Sequence, residues 1–152
     1  MDRETFTHLV LDSEQTLYRI SMSMLKNEKD CEDAVQNAIL TAYEKLSTLR
    51  KPEYFKTWLV RILMNECNRQ LKLSKKHLPL TSEEIQASAS STEEVEVRMV
   101  IENLPSKFRQ VIMLYYIEQF SVKEIKQILK IPEGTVKSRL SKGRELLRTE
   151  LS

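Results

Sequence analysis

The sequence predicts an all-α protein with two small helical domains joined by a flexible acidic linker. Only two glycines occur among the 152 residues, and apolar residues recur three or four positions apart through most of the chain. The stretch 78–96 differs, because it carries five glutamates, no lysine or arginine, and a run of small polar residues that cannot build a core. We therefore expect one domain over 1–77, a linker over 78–96 and a second domain over 97–152.

The first domain contains an amphipathic helix that follows Asp30. Asp30 is suited to the N-cap position, with Asp33 three residues later. The apolar stripe of this helix comprises Ala34, Val35, Ala38, Ile39, Ala42 and Leu46. Its other face is polar and includes Gln36 and Asn37. Most such faces are only solvated, so the pattern leaves a partner-binding role open.

A second helix is predicted over about 53–76, with a possible break near Asn65. One face of it is basic and rich in amides, and it comprises Arg61, Asn65, Asn68, Arg69, Lys72 and Lys76. Cationic side chains suit phosphates, while amides and aromatic rings suit exposed bases. Trp58 lies beside this face, and Tyr54 and Phe55 are further stacking candidates. The alternative is that Trp58 is a core residue and the basic face is solvated.

The end of the chain has the pattern of a helix-turn-helix. Ser121 and Glu124 form a predicted capping box, and Lys130-Ile131-Pro132 ends that helix, with Pro132 suited to the first position of the next. The second helix places Val136, Leu140, Gly143 and Leu147 on one face. Residues 121–152 contain eight lysines and arginines against four glutamates, a surplus that phosphate binding requires. A packed hairpin with a solvated basic face is the alternative.

Before this module, an apolar pattern predicts further helices. It runs through Val97, Val100, Ile101, Phe108, Val111, Ile112 and Tyr115.

Composition excludes several classes of protein. The longest apolar run, 111–117, is far below the roughly 20 residues that span a bilayer, and the first residues lack a signal-peptide pattern, so we expect a cytoplasmic protein without membrane insertion. Cys31 and Cys67 are far apart in sequence and are expected to be small core residues. Without clustered ligands, neither a metal nor another cofactor is expected.

Three ordered motifs together resemble a family. They are Asp30 to Asn37, Thr57 to Ile62 and Ile131 to Leu140, and Leu104-Pro105 precedes the last pair of helices. In this combination the chain resembles a bacterial sigma factor of the extracytoplasmic-function (ECF) group within the sigma-70 family. The resemblance covers nearly the entire chain.

The resemblance implies a division of labour between the domains. The first would bind core RNA polymerase through Asp33, Gln36 and Asn37. It would also melt and read the promoter −10 element, for which the candidates are Trp58, Arg61, Asn65, Asn68, Arg69 and Lys72. The second would read the −35 element as duplex, for which the candidates are Thr135, Lys137, Ser138, Ser141, Lys142 and Arg144.

Further implications concern partners and departures from the family pattern. The resemblance implies a protein that is monomeric when free and is held inactive by an anti-sigma factor, often membrane-bound. Asn37 replaces the family's usual acidic residue, Lys142 stands where arginine is common, and Gly143 stands where alanine is common. Lysine cannot form the bidentate contact that arginine makes with guanine, so looser base reading is expected there.

Two other functions compete with this interpretation. A stand-alone repressor or activator could use the same helix-turn-helix, but such regulators usually dimerise, and no heptad pattern supplies a dimer surface. It would also leave Trp58 and Asn65 unexplained. An enzyme such as a nuclease would need clustered carboxylates on the basic face, where Glu66 stands alone in sequence. We therefore expect a transcription initiation factor that is not an enzyme.

Overall fold

The computed structural model describes residues 1–77 and 92–151, and in these ranges the regular secondary structure is entirely helical. The chain divides into two compact units at residue 83. The prediction of an all-α, two-domain fold is therefore confirmed. Most of the predicted linker, 78–91, lies outside the described residues.

Three helices form the first unit. They are α1 (Arg3–Leu25), α2 (Glu28–Glu44) and α3 (Phe55–His77), with two short 3-10 turns, Leu46–Thr48 and Pro52–Tyr54, between the last two. Each helix buries one apolar face against the other two. The largest fully buried side chains of this core are Leu17, Ile20, Val35, Leu59, Val60 and Leu63.

Two details of the first unit differ from the sequence prediction. Helix α2 begins at Glu28, and its N-cap is Asn27, whose side chain accepts a hydrogen bond from the Asp30 amide at 3.0 Å. Asp30 thus lies in the first turn, because Asn27 is an equally good N-cap that comes earlier. Helix α3 continues through Asn65 without a break, since the Asn65 side chain is exposed and does not compete for the helical backbone.

Over its described residues, 92–151, the second unit contains four α-helices and a π-helical turn. They are α4 (Thr92–Asn103), α5 (Ser106–Ile112), the turn Met113–Ile117, α6 (Val122–Leu129) and α7 (Glu133–Leu151). Residues 92–96, which the sequence analysis placed in the linker, thus belong to α4.

The π-helical turn changes which side chains face the core. The amide of Glu118 donates to the carbonyl of Met113 at 3.0 Å, a bond across five residues instead of four. The extra residue shifts the helical register, so Tyr115 is exposed, although the sequence pattern placed it in the apolar stripe. Tyr116 and Ile117 are exposed beside it.

The helix-turn-helix matches its sequence pattern closely. Both hydrogen bonds of the capping box form, from the Ser121 amide to the Glu124 carboxylate at 2.8 Å and from the Glu124 amide to the Ser121 hydroxyl at 3.1 Å. Lys130 ends α6 in the left-handed conformation, with φ of 56°. Pro132 immediately precedes α7 rather than occupying its first position, and its carbonyl accepts from the Val136 amide at 3.1 Å.

Candidate nucleic-acid interfaces

Helix α7 separates an apolar face from a polar face. Three residues of the predicted inner face, Val136, Leu140 and Gly143, are buried, and the fourth, Leu147, is half-buried. A Cβ on Gly143 would lie 2.8 Å from Cγ1 of Ile112, so a glycine allows α7 to approach α5 closely. The predicted duplex-contacting residues that are exposed lie on the other face, and they are Lys137, Ser138, Ser141 and Lys142.

Both lysines of this face are paired with glutamates. Lys137 lies 3.3 Å from Glu133, and Lys142 lies 3.7 Å from Glu145. The two lysine side chains are 65% and 51% exposed, and ion pairs at such positions contribute little to stability. A DNA phosphate can therefore replace either glutamate at small cost.

The other three candidates of this helix differ in their surroundings. Thr135 is half-buried, and its carbonyl accepts a hydrogen bond from the Ser138 hydroxyl at 3.1 Å. Arg144 is also half-buried, and its guanidinium donates to the Tyr116 hydroxyl at 3.0 Å. Tyr116 is not predictable as a site residue from the sequence, because the π-helical turn that exposes it has no sequence signature.

The basic face predicted on α3 is present. Asn65, Asn68, Arg69 and Lys72 are exposed, and Arg61 is half-buried. Beneath them, Leu63 and Cys67 are fully buried, so the face is anchored by the core. Burial raises the pKa of the Cys67 thiol to about 12 and also raises that of Cys31. Both cysteines are thus buried thiols, as the sequence analysis expected.

Trp58 lies at the edge of an aromatic cluster. Its ring is 5.9 Å from that of Phe55, which in turn is 5.7 Å from Phe6. Trp58 is half-buried, so part of the indole supports the core while part remains available at the surface. Phe55 is only 3% exposed, and its prediction as a stacking candidate is therefore wrong. Tyr54 is 45% exposed and retains that capacity.

The carboxylate of Glu66 is the centre of a polar cluster that joins α2 to α3. It accepts hydrogen bonds from Arg69 at 2.6 and 3.1 Å, from Asn37 at 3.0 Å and from Gln70 at 3.4 Å. The hydrogen bond from Arg69 is the main cause that lowers the pKa of Glu66. The partners described for Glu66 are a guanidinium and two amides, and none of them is a carboxylate. The contact with Asn37 is tertiary and has no signature in the sequence spacing.

The polar face of α2 is exposed at all three predicted positions. Asp33, Gln36 and Asn37 are exposed, while Ala34, Val35 and Ala38 are buried behind them. Asn37 is the one that contacts α3, through Glu66. Position 37 is an asparagine, and the carboxylate next to it is that of Glu66 on α3.

Neither a metal centre nor a membrane span is found where the structure is described. Residues 1–77 and 92–151 contain no group of three histidine, cysteine or acidic side chains placed to hold a metal ion. Within the same ranges, no helix is both long enough and apolar enough to cross a bilayer.

These surfaces define a two-domain helical protein that carries a helix-turn-helix and two polar interaction faces. The model of the Sigma-70 region 2 family matches residues 9–76, and that of Sigma-70 region 4 matches residues 94–147. The ECF RNA polymerase sigma factor SigW of Bacillus subtilis is 32% identical over 99% of this chain and 90% of its own length. The chain therefore belongs to the ECF group of sigma-70 RNA polymerase sigma factors.

Another curated relative is also a sigma factor, and two solved structures share the fold of this chain. RNA polymerase sigma factor SigV of Bacillus subtilis is 29% identical over 94% of this chain and 89% of its own. The sigma factor RpoE of Bartonella quintana, solved with the anti-sigma factor NepR, has the same fold, with a TM-score of 0.81, 24% identity and 97% coverage of both chains. CnrH was solved with the cytosolic domain of CnrY. It matches with a TM-score of 0.75 and 23% identity, over 99% of this chain and 89% of its own.

Membership of this group identifies the function as that of an RNA polymerase sigma factor, which binds core polymerase and directs transcription from promoters. A stand-alone repressor or activator accounts for the helix-turn-helix only. It does not account for the first unit, which matches Sigma-70 region 2.

Proposed function

We propose that the two units divide promoter recognition, so that the first docks on core polymerase and reads the melted −10 strand while the second reads duplex −35 DNA. The observation that carries this proposal is the contrast between the two polar faces. The face of α3 combines exposed Asn65 and Asn68 with half-buried Trp58, a combination that suits unstacked bases. The face of α7 offers short hydroxyls and lysines on a helix whose other side is buried, which suits a major groove.

Docking is assigned to the polar face of α2, where Asp33, Gln36 and Asn37 are exposed. This face differs from the basic face of α3 in chemistry, because Asp33, Gln36 and Asn37 present a carboxylate and two amides, with Lys29 one turn before Asp33. A partner helix rich in arginine would complement Asp33 and the two amides. This complementarity supports docking, and it leaves the basic face of α3 for DNA.

The −10 face would combine Trp58 and Arg61 with the exposed residues Asn65, Asn68, Arg69 and Lys72. The −35 face would combine the exposed residues Lys137, Ser138, Ser141 and Lys142 with half-buried Thr135 and Arg144. In both cases cations position the phosphates and smaller polar side chains contact the bases.

The protein itself would carry out no chemical step, and phosphoryl transfer would remain with the polymerase. We also propose that an anti-sigma factor holds the free protein, since RpoE and CnrH, which share its fold, were solved with such partners or with the cytosolic domain of one. Residues 78–91, which contain two glutamates and no lysine or arginine, would act as the tether between the units.

Transcription with purified components tests the general proposal. Core polymerase with the full chain should produce promoter-specific transcripts from genomic DNA fragments, and core polymerase alone should not. Absence of specific transcripts would contradict the proposal, whereas dimeric binding of the free protein to paired half-sites would favour a stand-alone regulator.

A binding test with two variants and two DNAs examines whether the units recognise different promoter elements. Lys142→Ala should weaken binding to −35 duplex by about 1–3 kcal/mol if Lys142 reads a base, or lower the salt dependence if it holds a phosphate. Asn65→Ala should spare the duplex and reduce affinity and base preference for single-stranded −10 DNA, because an amide can pair with a base edge and alanine cannot. Fluorescence anisotropy of both variants with both DNAs measures this. Equal losses on both DNAs would contradict the assignment.

A further inference from the structure

Glu66 lies where the two proposed surfaces of the first unit meet. Of the three partners described for it, Asn37 belongs to the polar face of α2, while Gln70 and Arg69, the latter on the basic face, belong to α3. The Glu66 side chain is 14% exposed and that of Arg69 is 55% exposed. The carboxylate is therefore sheltered, while the guanidinium that it holds faces solvent.

The geometry of this contact fixes the orientation of Arg69. One oxygen of Glu66, Oε1, accepts from Nε of Arg69 at 3.1 Å, and the other, Oε2, accepts from a terminal guanidinium nitrogen at 2.6 Å. Two parallel bonds of this kind hold the plane of the guanidinium as well as its position. A long exposed side chain would otherwise sample many rotamers and lose that freedom when it bound DNA.

Asn37 shares one of these two oxygens. Its amide nitrogen donates to Oε2 of Glu66 at 3.0 Å, so the same atom accepts from both helices. The Asn37 amide retains its carbonyl oxygen as an acceptor for a partner. A partner that reorients Asn37 therefore changes the hydrogen bond at Oε2, and with it the restraint on Arg69.

We propose that Glu66 is a positioning residue that couples polymerase docking through Asn37 to −10 strand recognition by Arg69. This inference rests on the proposed function, because it takes α2 as the docking face and α3 as the strand-reading face. It adds that the two activities are linked through one carboxylate. Arg69 would be oriented before DNA arrives, and docking would adjust that orientation.

The competing interpretation is that Glu66 only neutralises Arg69. In that case Glu66→Gln would strengthen binding to every single-stranded DNA alike, because it would remove a negative charge from a phosphate-binding face. Under positioning, Glu66→Gln keeps the size of the side chain but loses the charged bidentate contact. Selectivity between sequences would then fall.

The experiment uses polymerase reconstituted with the full chain, at core concentrations that saturate each variant. The probes are a labelled single-stranded oligonucleotide that the wild-type holoenzyme selects from a random pool and a scrambled version of it. We expect Asn37→Ala to weaken binding of the selected oligonucleotide by about threefold or more. The same change in a Glu66→Gln background should have no further effect.

Two further variants serve as controls, one for the docking face of α2 and one for the bidentate contact of Arg69. Gln36→Ala lies on the same face of α2, and Gln36 is not among the described donors to Glu66. It should weaken core binding, yet at saturation it should leave oligonucleotide affinity within about twofold. Arg69→Lys keeps the charge but loses the bidentate geometry, and it should reproduce the loss of selectivity of Glu66→Gln.

The outcomes separate this inference from the proposed function. Equal effects of Asn37→Ala in the wild-type and Glu66→Gln backgrounds would overturn the coupling. So would equal gains of Glu66→Gln on the selected and scrambled oligonucleotides. If the wild-type holoenzyme selects no sequence at all, the proposed function fails, and the coupling fails with it.

Discussion

At the scale of single residues, Glu66 carries a charge that folding stabilises. Its carboxylate is held by Arg69, which lowers its pKa from the ordinary value of 4.5. The native state therefore binds fewer protons at this site than the unfolded state does, and stability rises with pH across the window between the two pKa values. The contribution is complete above about pH 4.5 and is lost as the pH falls through the lower, native pKa.

This linkage predicts the behaviour of Glu66→Gln. The variant should be less stable than the wild type at pH 7, and the difference should shrink as the pH falls below about 4.5, because protonation removes the same charge from the wild type. Urea denaturation followed by the fluorescence of Trp58, the only tryptophan, measures the first unit. The control Glu32→Gln removes an exposed charge of α2 and should keep the wild-type pH profile. A difference for Glu66→Gln that stays constant from pH 7 to pH 3 would contradict the assignment.

At the scale of helices, α7 contains both glycines of the chain, and they differ in surroundings. A Cβ on Gly134 would meet nothing within 4 Å, whereas one on Gly143 would lie 2.8 and 2.9 Å from two side-chain atoms of Ile112. Ile112 is itself buried and has little room to move. The close contact of α5 with α7 therefore depends on Gly143 and not on Gly134.

Alanine at these two positions should change stability in opposite directions. Gly134→Ala should stabilise the second unit by up to about 1 kcal/mol, because alanine has the higher helix propensity. Gly143→Ala gains the same propensity but forces Ile112 out of place, and overpacking of this kind costs about 1–3 kcal/mol, so a net loss is expected. Denaturation followed by far-UV circular dichroism measures both.

Ile112→Ala tests the cause of that loss. It removes both Cγ1 and Cδ1, the atoms that the new methyl group would meet, so the combined variant Ile112→Ala with Gly143→Ala should be more stable than the sum of the single changes predicts. Strict additivity would show that the contact with Ile112 is not what limits position 143.

At the scale of the whole molecule, each unit has a hydrophobic core of its own. Leu17, Leu59 and Leu63 are fully buried in the first, and Leu114 and Ile125 are fully buried in the second. Units of this size bury a modest share of their surface and have low stability, yet many of them fold alone. The capping box of α6 and the side-chain N-cap of α2 each add to that stability.

We therefore predict that two fragments, 1–77 and 92–152, fold when produced separately. Each should unfold cooperatively in urea, and the second should retain the salt-dependent binding of −35 duplex that we expect of the full chain. Circular dichroism and anisotropy provide the measurements. A fragment 92–152 that is folded but does not bind duplex would contradict the placement of the −35 surface on α7.

The sequence predicted the class of fold, the helix-turn-helix and the exposed faces, because these depend on local spacing. The Ser121 capping box and the buried face with Val136 and Leu140 are cases of this kind. Prediction from the sequence failed where the position of a side chain depended on tertiary contacts or on a change of helical register. The bond between Asn37 and Glu66 spans 29 positions, and the outward turn of Tyr115 follows from a π-helical bond that apolar periodicity does not encode.

The left-handed residue that ends α6 also bears on protein engineering. Lys130 has φ of 56°, a conformation that glycine adopts at no steric cost. Lys130→Gly would thus delete a positive charge beside the turn while leaving its backbone path intact, and alanine in its place would keep the strain. The charge at this turn can therefore be removed without a change in its backbone geometry. Position 130 is thus a convenient point for adjusting the electrostatics of the helix-turn-helix while its shape is kept.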